Sequence, residues 1–242
     1  MCLNACERID DLGGGMKIIQ SSSTPCFAID AVLLADFVRS GSGARVIDLG
    51  AGTGIIPLLL SRKMPHASIS GIEFVRQMYD QAKRSVELNA LTGKIEMIHG
   101  DLREAEVYFN RGEADSVVAN PPYYKAGNGR INADDAFAAA RMEKYCTLTD
   151  VISAASFLLK PLGRFYLVHR AERLAEIMAV LPVHDLNPER LRTVQPYANK
   201  EANLVLVESK KLGRGKMRIM PPLVVYESRA RYTKEMQAIY GR

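Results

Sequence analysis

Short apolar runs of strand length alternate along this chain with longer segments of helical spacing. Val46-Ile47-Asp48-Leu49, Ile69-Ser70-Gly71-Ile72, Ile95-Glu96-Met97-Ile98-His99 and Ser116-Val117-Val118-Ala119 read as buried strands, as do residues 164–169. Residues 29–38 read as a helix ahead of the first of these strands. Residues 77–89 read as a helix after the second, with Met78, Ala82, Val86 and Ala90 forming part of an apolar stripe. A helix over 148–160 has Thr147 as its cap and Pro161 and Gly163 as its stop. Another helix is expected over 171–181. Residues 202–209 and 218–226 read as a late antiparallel pair around a basic turn. Repeated β-α units imply an α/β fold with a mainly parallel sheet and helices on both faces. In such sheets ligands sit at the carboxyl ends of the strands.

Chemistry-bearing residues fall at those ends. Val46–Leu49 runs into Gly50-Ala51-Gly52-Thr53-Gly54 and then Ile55-Ile56-Pro57-Leu58-Leu59-Leu60, a strand, a glycine turn and a helix start. Glycines permit positive φ and let backbone approach a ligand. The N–H groups of the helix start attract an electron-rich group. The spacing is G-x-G-x-G, distinct from the G-x-G-x-x-G of pyrophosphate-binding units, and alone it also fits a tight turn with no ligand. Asp48 sits just before the glycines. Glu73 closes the next strand, where an acid is placed to bind a ribose diol. Asp101 follows the third strand, where it can face an adenine amino group. Asn120-Pro121-Pro122-Tyr123 follows the fourth. The two prolines stop that strand, because neither can donate to a sheet ladder. They leave an amide on one side of a stiff turn and an aromatic ring on the other. Asn120 Oδ1 and a nearby carbonyl suit the two N–H protons of a planar amino group, and the Tyr123 ring suits its plane.

In this order and spacing, Asp48-x-Gly50-x-Gly52-x-Gly54, Glu73, Gly100-Asp101 and Asn120-Pro121-Pro122-Tyr123 resemble the class I S-adenosylmethionine-dependent methyltransferases. The last motif resembles their amino-group branch. Residues 27–35 resemble the cofactor-contacting stretch ahead of the glycine loop, which implies cofactor roles for Phe27 and Asp30. Asp10-Asp11-Leu12, Met16-Lys17-Ile18-Ile19-Gln20, residues 200–204 and residues 220–226 are similar to the ends of the bacterial tRNA(Val) adenine-N6 methyltransferase family. The resemblance implies a Rossmann-like fold with a seven-stranded sheet and an antiparallel C-terminal edge. It implies S-adenosylmethionine as cofactor, held by Phe27, Asp30, Asp48, Gly50, Gly52, Gly54, Glu73, Asp101 and Asn120. It also implies methylation of an adenosine N6 in tRNA, next to the anticodon at position 37, with Asn120, Pro121, Pro122 and Tyr123 at the reaction. Two other readings stay open. One keeps the chemistry with another planar amino group, an rRNA guanine N2 or a release-factor glutamine amide. The other is an RNA-binding protein without turnover.

Charge adds a partner to this picture. Residues 190–242 carry 12 Lys/Arg against 4 Asp/Glu, a balance of +8, within a chain whose net charge is +5. Lys210, Lys211, Arg214, Lys216 and Arg218 cluster there, and Tyr197, Tyr226, Tyr232 and Tyr240 lie in the same region. Such a patch is the footprint of a phosphate-bearing partner, here tRNA. Residues 124–130, with Lys125 and Arg130, read either as a loop that orders on RNA and helps cover the target base or as a plain surface connection. Arg141 and Glu143 either approach the site or form plain helix surface.

Composition narrows the class without changing it. The 242 residues suffice for one α/β domain: an N-terminal hairpin extension over 1–26, a cofactor-binding and catalytic core over 27–189, and a basic part over 190–242 that completes the sheet. No apolar run reaches the roughly 18 residues of a membrane span. The start of the chain lacks the apolar core of a signal peptide, so a cytoplasmic enzyme without a membrane partner is expected, and the sequence leaves its oligomeric state open, a monomer included. Cys2, Cys6, Cys26 and Cys146 lack metal-ligand spacing, and no metal is expected. His66, His99, His169 and His184 are dispersed and read as structural.

Overall fold

The strand β3 (Arg45–Leu49) lies inside the sheet because its two sequence neighbours in space are also apolar. It pairs in parallel with β4 (Ser68–Glu73) on one side and β6 (Ala114–Ala119) on the other. Backbone and side chains are described in this computed structural model for residues 3–4, 6–24, 26, 28–39, 41–121 and 146–241. Among them β5 (Ile95–His99), β7 (Leu159–Arg170), β8 (Leu186–Gln195) and β9 (Leu204–Lys211) complete a path β8-β9-β7-β6-β3-β4-β5. β9 runs antiparallel to both β7 and β8. The short strands β10 (Arg218–Ile219) and β11 (Leu223–Val224) add parallel to the outer side of β8. The expected mainly parallel sheet with an antiparallel C-terminal edge is what forms.

Alternation along each strand divides the core between two faces. Val46, Ile69, Val118, Tyr166 and Val168 face α1 (Ile29–Phe37) and α2 (Ile55–Lys63). Ile47, Leu49, Val117, Ala119, Phe165 and Leu167 face α5 (Leu148–Leu158) and α6 (Leu174–Val183). Both α1 and α2 are apolar on nearly every side and almost wholly buried, which is why a simple stripe does not describe them. Truncating a large side chain in such a core costs about 2–5 kcal/mol. By contrast α3 (Arg76–Leu88) buries one face only, through Met78, Gln81, Ala82, Ser85 and Val86. A short helix α4 (Ala105–Tyr108) precedes β6, and α7 (Lys234–Ile239) closes the chain's described part.

Several boundaries differ from expectation for identifiable reasons. Thr147 does cap α5: its Oγ1 accepts from the Asp150 N–H at 3.2 Å, and Asp150 accepts back from the Thr147 N–H at 2.8 Å. The helix ends at Leu158, and Pro161 and Gly163 lie inside a bulge of β7, between the pairs Ala114–Leu159 and Ser116–Arg164. The helix expected from residue 171 begins with a 3₁₀ turn, Ala171–Arg173, before α6. Residues 202–209 and 218–226 do not form a hairpin. Their common neighbour is β8, which was not anticipated and which spans residue 190. Its sequence, Leu186-Asn187-Pro188-Glu189-Arg190-Leu191-Arg192-Thr193-Val194-Gln195, carries too many polar residues to read as a buried strand. It is tolerated because Arg190 is neutralised: its guanidinium lies 2.7 Å from Glu208 on β9 and over the Phe37 ring at 3.8 Å.

The N-terminal hairpin, β1 (Glu7–Asp11) and β2 (Lys17–Ser21), turns at Gly13–Gly15 and docks on α3. The seam is polar. Ile19 N–H donates to Ser85 Oγ at 2.9 Å, Lys17 and Asn89 exchange two hydrogen bonds, and Arg84 grips Glu7 with both terminal nitrogens.

Candidate active site

The glycine turn hangs from the neighbouring strand. Gly50 and Ala51 N–H groups both donate to Ile72 O at 3.0 Å. Gly50 has φ +74° and nothing within 4 Å of where a Cβ would stand, so the turn keeps an open side. Gly54 caps α2 at φ +86°, where a Cβ would come within 3.1 Å of Ala82. A left-handed cap pressed onto α3 requires glycine.

Glu73 fastens this turn from the end of β4. Its Oε2 accepts from Gly52 N–H at 2.8 Å and its Oε1 from Val75 N–H at 2.7 Å. It is 2 % exposed, and that burial raises its pKa against the pull of the backbone donors. Asp48 is wholly buried beside it, and neither carboxylate oxygen has a hydrogen-bond partner among the described residues. Burial, then the nearby Glu73, pushes the Asp48 carboxyl well above the ordinary range. An orphaned buried carboxylate is costly to the fold and marks a place built for a partner.

Asp101 follows β5 and caps the 3₁₀ turn Leu102–Glu104 by accepting from Arg103 N–H at 2.9 Å. The Arg103 guanidinium grips the same carboxylate at 2.5 Å and holds its pKa down. Asp30 is buried in the first turn of α1 and accepts from Ala31 N–H at 2.8 Å. Asn120 is half-buried at the end of β6, followed by the buried Pro121. Strand order β6-β3-β4-β5 therefore sets Asn120, Asp48, Glu73 and Asp101 side by side at the carboxyl end of the sheet, with Asp48, level with Val118 and Gly71, two residues deeper than Asn120 and Glu73. Three strand spacings make that group about 14 Å wide. Phe27, Pro122, Tyr123, Lys125, Arg130, Arg141 and Glu143 lie outside the described residues.

Two further residues belong to this edge and were not singled out from sequence. Gln20, fully buried on β2, donates to Thr53 Oγ1 at 2.8 Å and so ties the N-terminal hairpin to the glycine turn. The signal was one amide inside an apolar run, Ile18-Ile19-Gln20. His169 ends the buried part of β7, where burial, then the Arg173 charge, lowers its pKa to about 4 and keeps it neutral.

The basic cluster sits elsewhere. Lys210 pairs with Arg164, and Arg164 with Ser116, so Lys210 is level with a residue four positions before Asn120. Four residues are about 13 Å of strand. The chain then turns farther from Asn120, with Leu212 N–H on Asp185 O and Asn187 on Gly215 O. Lys211 is spent on the Ser156 and Leu159 carbonyls at the end of α5. Arg214 and Lys216 are exposed on this far turn, and Arg218 begins β10 beside Arg190.

A parallel sheet with a glycine turn after its central strand and acids after the next two defines a methyltransferase-like α/β protein. Residues 28–181 match the family model of the methyltransferase small domain, and the chain belongs to that family. Among its relatives are two proteins named tRNA1(Val) (adenine(37)-N6)-methyltransferase. The one from Porphyromonas gingivalis is 28% identical over 83% of this chain and 76% of its own length. The one from Aeromonas salmonicida is 29% identical over 77% of this chain and 75% of its own. A predicted O-methyltransferase from Agrobacterium tumefaciens superimposes with a TM-score of 0.72 at 23% identity, over 88% of this chain and 95% of that one. That likeness establishes the fold. Among the described residues no cluster of His, Cys, Asp or Glu could hold a metal, and no helix is long and apolar enough to cross a membrane.

Proposed function

We propose that this protein transfers the methyl group of S-adenosylmethionine to the N6 amino group of adenosine 37 in a valine tRNA. The observation that carries the reading is the grouping of Asn120, Asp48, Glu73 and Asp101 beside an open glycine turn. The relatives' shared name supplies the acceptor.

The residues present fit the cofactor. The orphaned Asp48 carboxylate suits a cationic group, and the open side of Gly50 leaves room for backbone approach. Backbone donors of the turn and of residues 74–75 hold the Glu73 carboxylate in place, and its remaining acceptor capacity suits a ribose hydroxyl. Asp101, held ionised by Arg103, accepts from an adenine amino group once that half-exposed arginine swings aside. Gly52 and Gly54 shape the same turn, and the family resemblance adds Phe27 and Asp30 as cofactor contacts. When bound, S-adenosylmethionine supplies an electrophilic methyl on its sulfonium.

Asn120 Oδ1 and the Pro121 carbonyl accept the two N–H protons of the target amine. That favours a pyramidal nitrogen whose lone pair points at the methyl. Preorganised acceptors stabilise positive charge developing on nitrogen, and in-line placement supplies much of the rate. The alkylated nitrogen becomes acidic, so these residues need no strong general base. Tyr123 clamps an unstacked base.

The test is methyl transfer to unmodified tRNA transcripts, read by nucleoside mass spectrometry. N6-methyladenosine in a valine tRNA is expected. Asn120→Ala is expected to lose at least about 100-fold in turnover, on the scale of an oxyanion-hole donor, with cofactor affinity nearly intact. Near-normal turnover in that variant overturns the assignment. Methylation of a release-factor glutamine or an rRNA guanine in place of tRNA overturns the acceptor.

A further inference from the structure

The four tyrosines scattered through the C-terminal sequence come together as one ladder. Tyr226 and Tyr232 stack with ring centroids 5.1 Å apart and planes 12° from parallel. Tyr232 and Tyr240 follow at 5.4 Å and 22°. Tyr197 continues the other end, 5.6 Å from Tyr226 at 36°. All four are half-buried: Tyr226, Tyr232 and Tyr240 pack against the core, and Tyr197 stands beyond it.

Strand direction decides where the ladder stands. β8 runs antiparallel to β9, and β9 antiparallel to β7, so β8 runs the same way as β7 and β6. Its last residue, Gln195, therefore reaches the edge that holds Asn120, and Tyr197 follows directly. The chain returns to that edge a second time through β11: Val224 pairs with Gln195, and Tyr226 N–H donates to Pro196 O at 2.9 Å. Tyr197, following β8, is three strand spacings from β6, about 14 Å, and Tyr226, following β11 outside β8, is one spacing farther. Exposed Lys200, Arg229, Arg231 and Lys234 surround it. Among the described residues the Tyr197 ring stacks on Tyr226 alone, so its outer face ends the ladder.

We infer that the outer face of Tyr197 is a stacking platform for an unpaired base of the RNA substrate, flanking the base that is methylated. The inference rests on the tRNA reading above. A ladder of stacked rings whose half-buried end ring meets no further ring among the described residues is extended by one more planar group. Single-stranded loops offer unstacked bases, which aromatic side chains take regardless of sequence. The surrounding cations meet the phosphates on either side.

The experiment measures KM for tRNA, kcat, cofactor affinity and melting temperature for the wild type, Tyr197→Ala and Tyr197→Phe. Tyr197→Ala is expected to raise the tRNA KM at least about 5-fold, the lower bound for losing one base–aromatic stack. Cofactor affinity and kcat at saturating tRNA should stay within about twofold of wild type. Tyr197→Phe should behave as wild type. An unchanged KM in Tyr197→Ala overturns the platform and leaves the methyltransferase reading standing. A KM rise shared by the Phe variant also overturns it, because the hydroxyl and not the ring would be the contact. If Tyr197→Ala loses its melting transition, Tyr197→Leu takes its place. If the wild type methylates no tRNA, the acceptor reading falls. The platform is then tested alone, by quenching of a 2-aminopurine single-stranded RNA: quenching lost in Tyr197→Ala supports it, and equal quenching overturns it.

Discussion

The two edges of the sheet carry opposite chemistry. At the carboxyl edge stand Asp48, Glu73 and Asp101, with Asn120 beside them. At the amino edge stand Lys210, Lys211 and the turn that bears Arg214 and Lys216. The first group is spread along the chain and the second is compact in sequence, and both look functional when read as sequence. Strand direction separates them. Residues that end parallel strands share one edge by the rule of the fold. A cluster that ends the one antiparallel strand, β9, goes to the other. A basic patch near an active site in sequence is therefore near it in space only when the number of reversals between them is even.

The largest expected effect belongs to the carboxyl edge. Glu73→Ala removes the acceptor of the Gly52 and Val75 N–H groups together with a ligand for the ribose. Hydrogen bonds to charged groups are worth about 1.5–3 kcal/mol each. Calorimetry should show cofactor affinity falling at least about 100-fold, or roughly 2.7 kcal/mol. The matching control on the other edge, Lys216→Ala, should leave that affinity unchanged. A loss below about fivefold in Glu73→Ala would place the cofactor elsewhere.

Much of this was legible beforehand, and the limits are physical. The strands at 46–49, 69–72 and 116–119 were readable because they lie inside the sheet and are strongly apolar, and the edge strand at 95–99 was readable from its shorter run of alternating apolar residues. Their ends bear Asp48, Glu73, Asp101 and Asn120, so the grouping is legible in the sequence. β8 was not readable, because its buried arginine is neutralised by Glu208, a residue on another strand. Missing β8 gave 202–209 the wrong neighbour and left the basic turn without an edge. Gln20 was missed for a related reason: its partner, Thr53, is 33 positions away, and nothing local marks a buried amide. The tyrosines were noticed, but their stacking depends on β11 joining β8, a short pairing that no periodicity announces.

The second test sets the two edges against each other directly. Arg229→Ala with Lys234→Ala, at the ladder, should raise the tRNA KM about tenfold at moderate salt. It should also flatten the slope of log affinity against log salt by about 0.7 for each phosphate that is no longer neutralised. Arg214→Ala with Lys216→Ala, at the far turn, should change KM less than twofold, as expected for solvated charges more than a Debye length, about 8 Å, from the RNA. The reverse outcome would mean that the tRNA body wraps around the sheet to its amino edge. Equal losses would mean that both edges contribute.

The smallest effect is also the one that best separates function from stability. Asp48 is buried without a partner, and its folded-state pKa is raised above that of the unfolded chain. The folded protein then binds this proton more tightly than the unfolded chain does. Stability is therefore lost as pH rises from the ordinary carboxylate range through the raised value, and the full penalty stands above it. Asp48→Asn removes the charge at nearly constant volume. The cofactor-free variant should be more stable than wild type at neutral pH by about 1–3 kcal/mol, a rise of roughly 2–4 °C in Tm per kcal/mol for a chain of this size. Its stability should decline less steeply across the window in which the wild type declines, the remaining slope coming from Glu73, whose pKa burial also raises. Cofactor binding should reverse the order, because only the wild-type carboxylate gains a cationic partner there. A residue that destabilises the empty protein and stabilises the loaded one is the signature of a binding group held in strain. If thermal melts with and without S-adenosylmethionine show Asp48→Asn less stable in both states, Asp48 is a structural residue and the group at the carboxyl edge loses its centre.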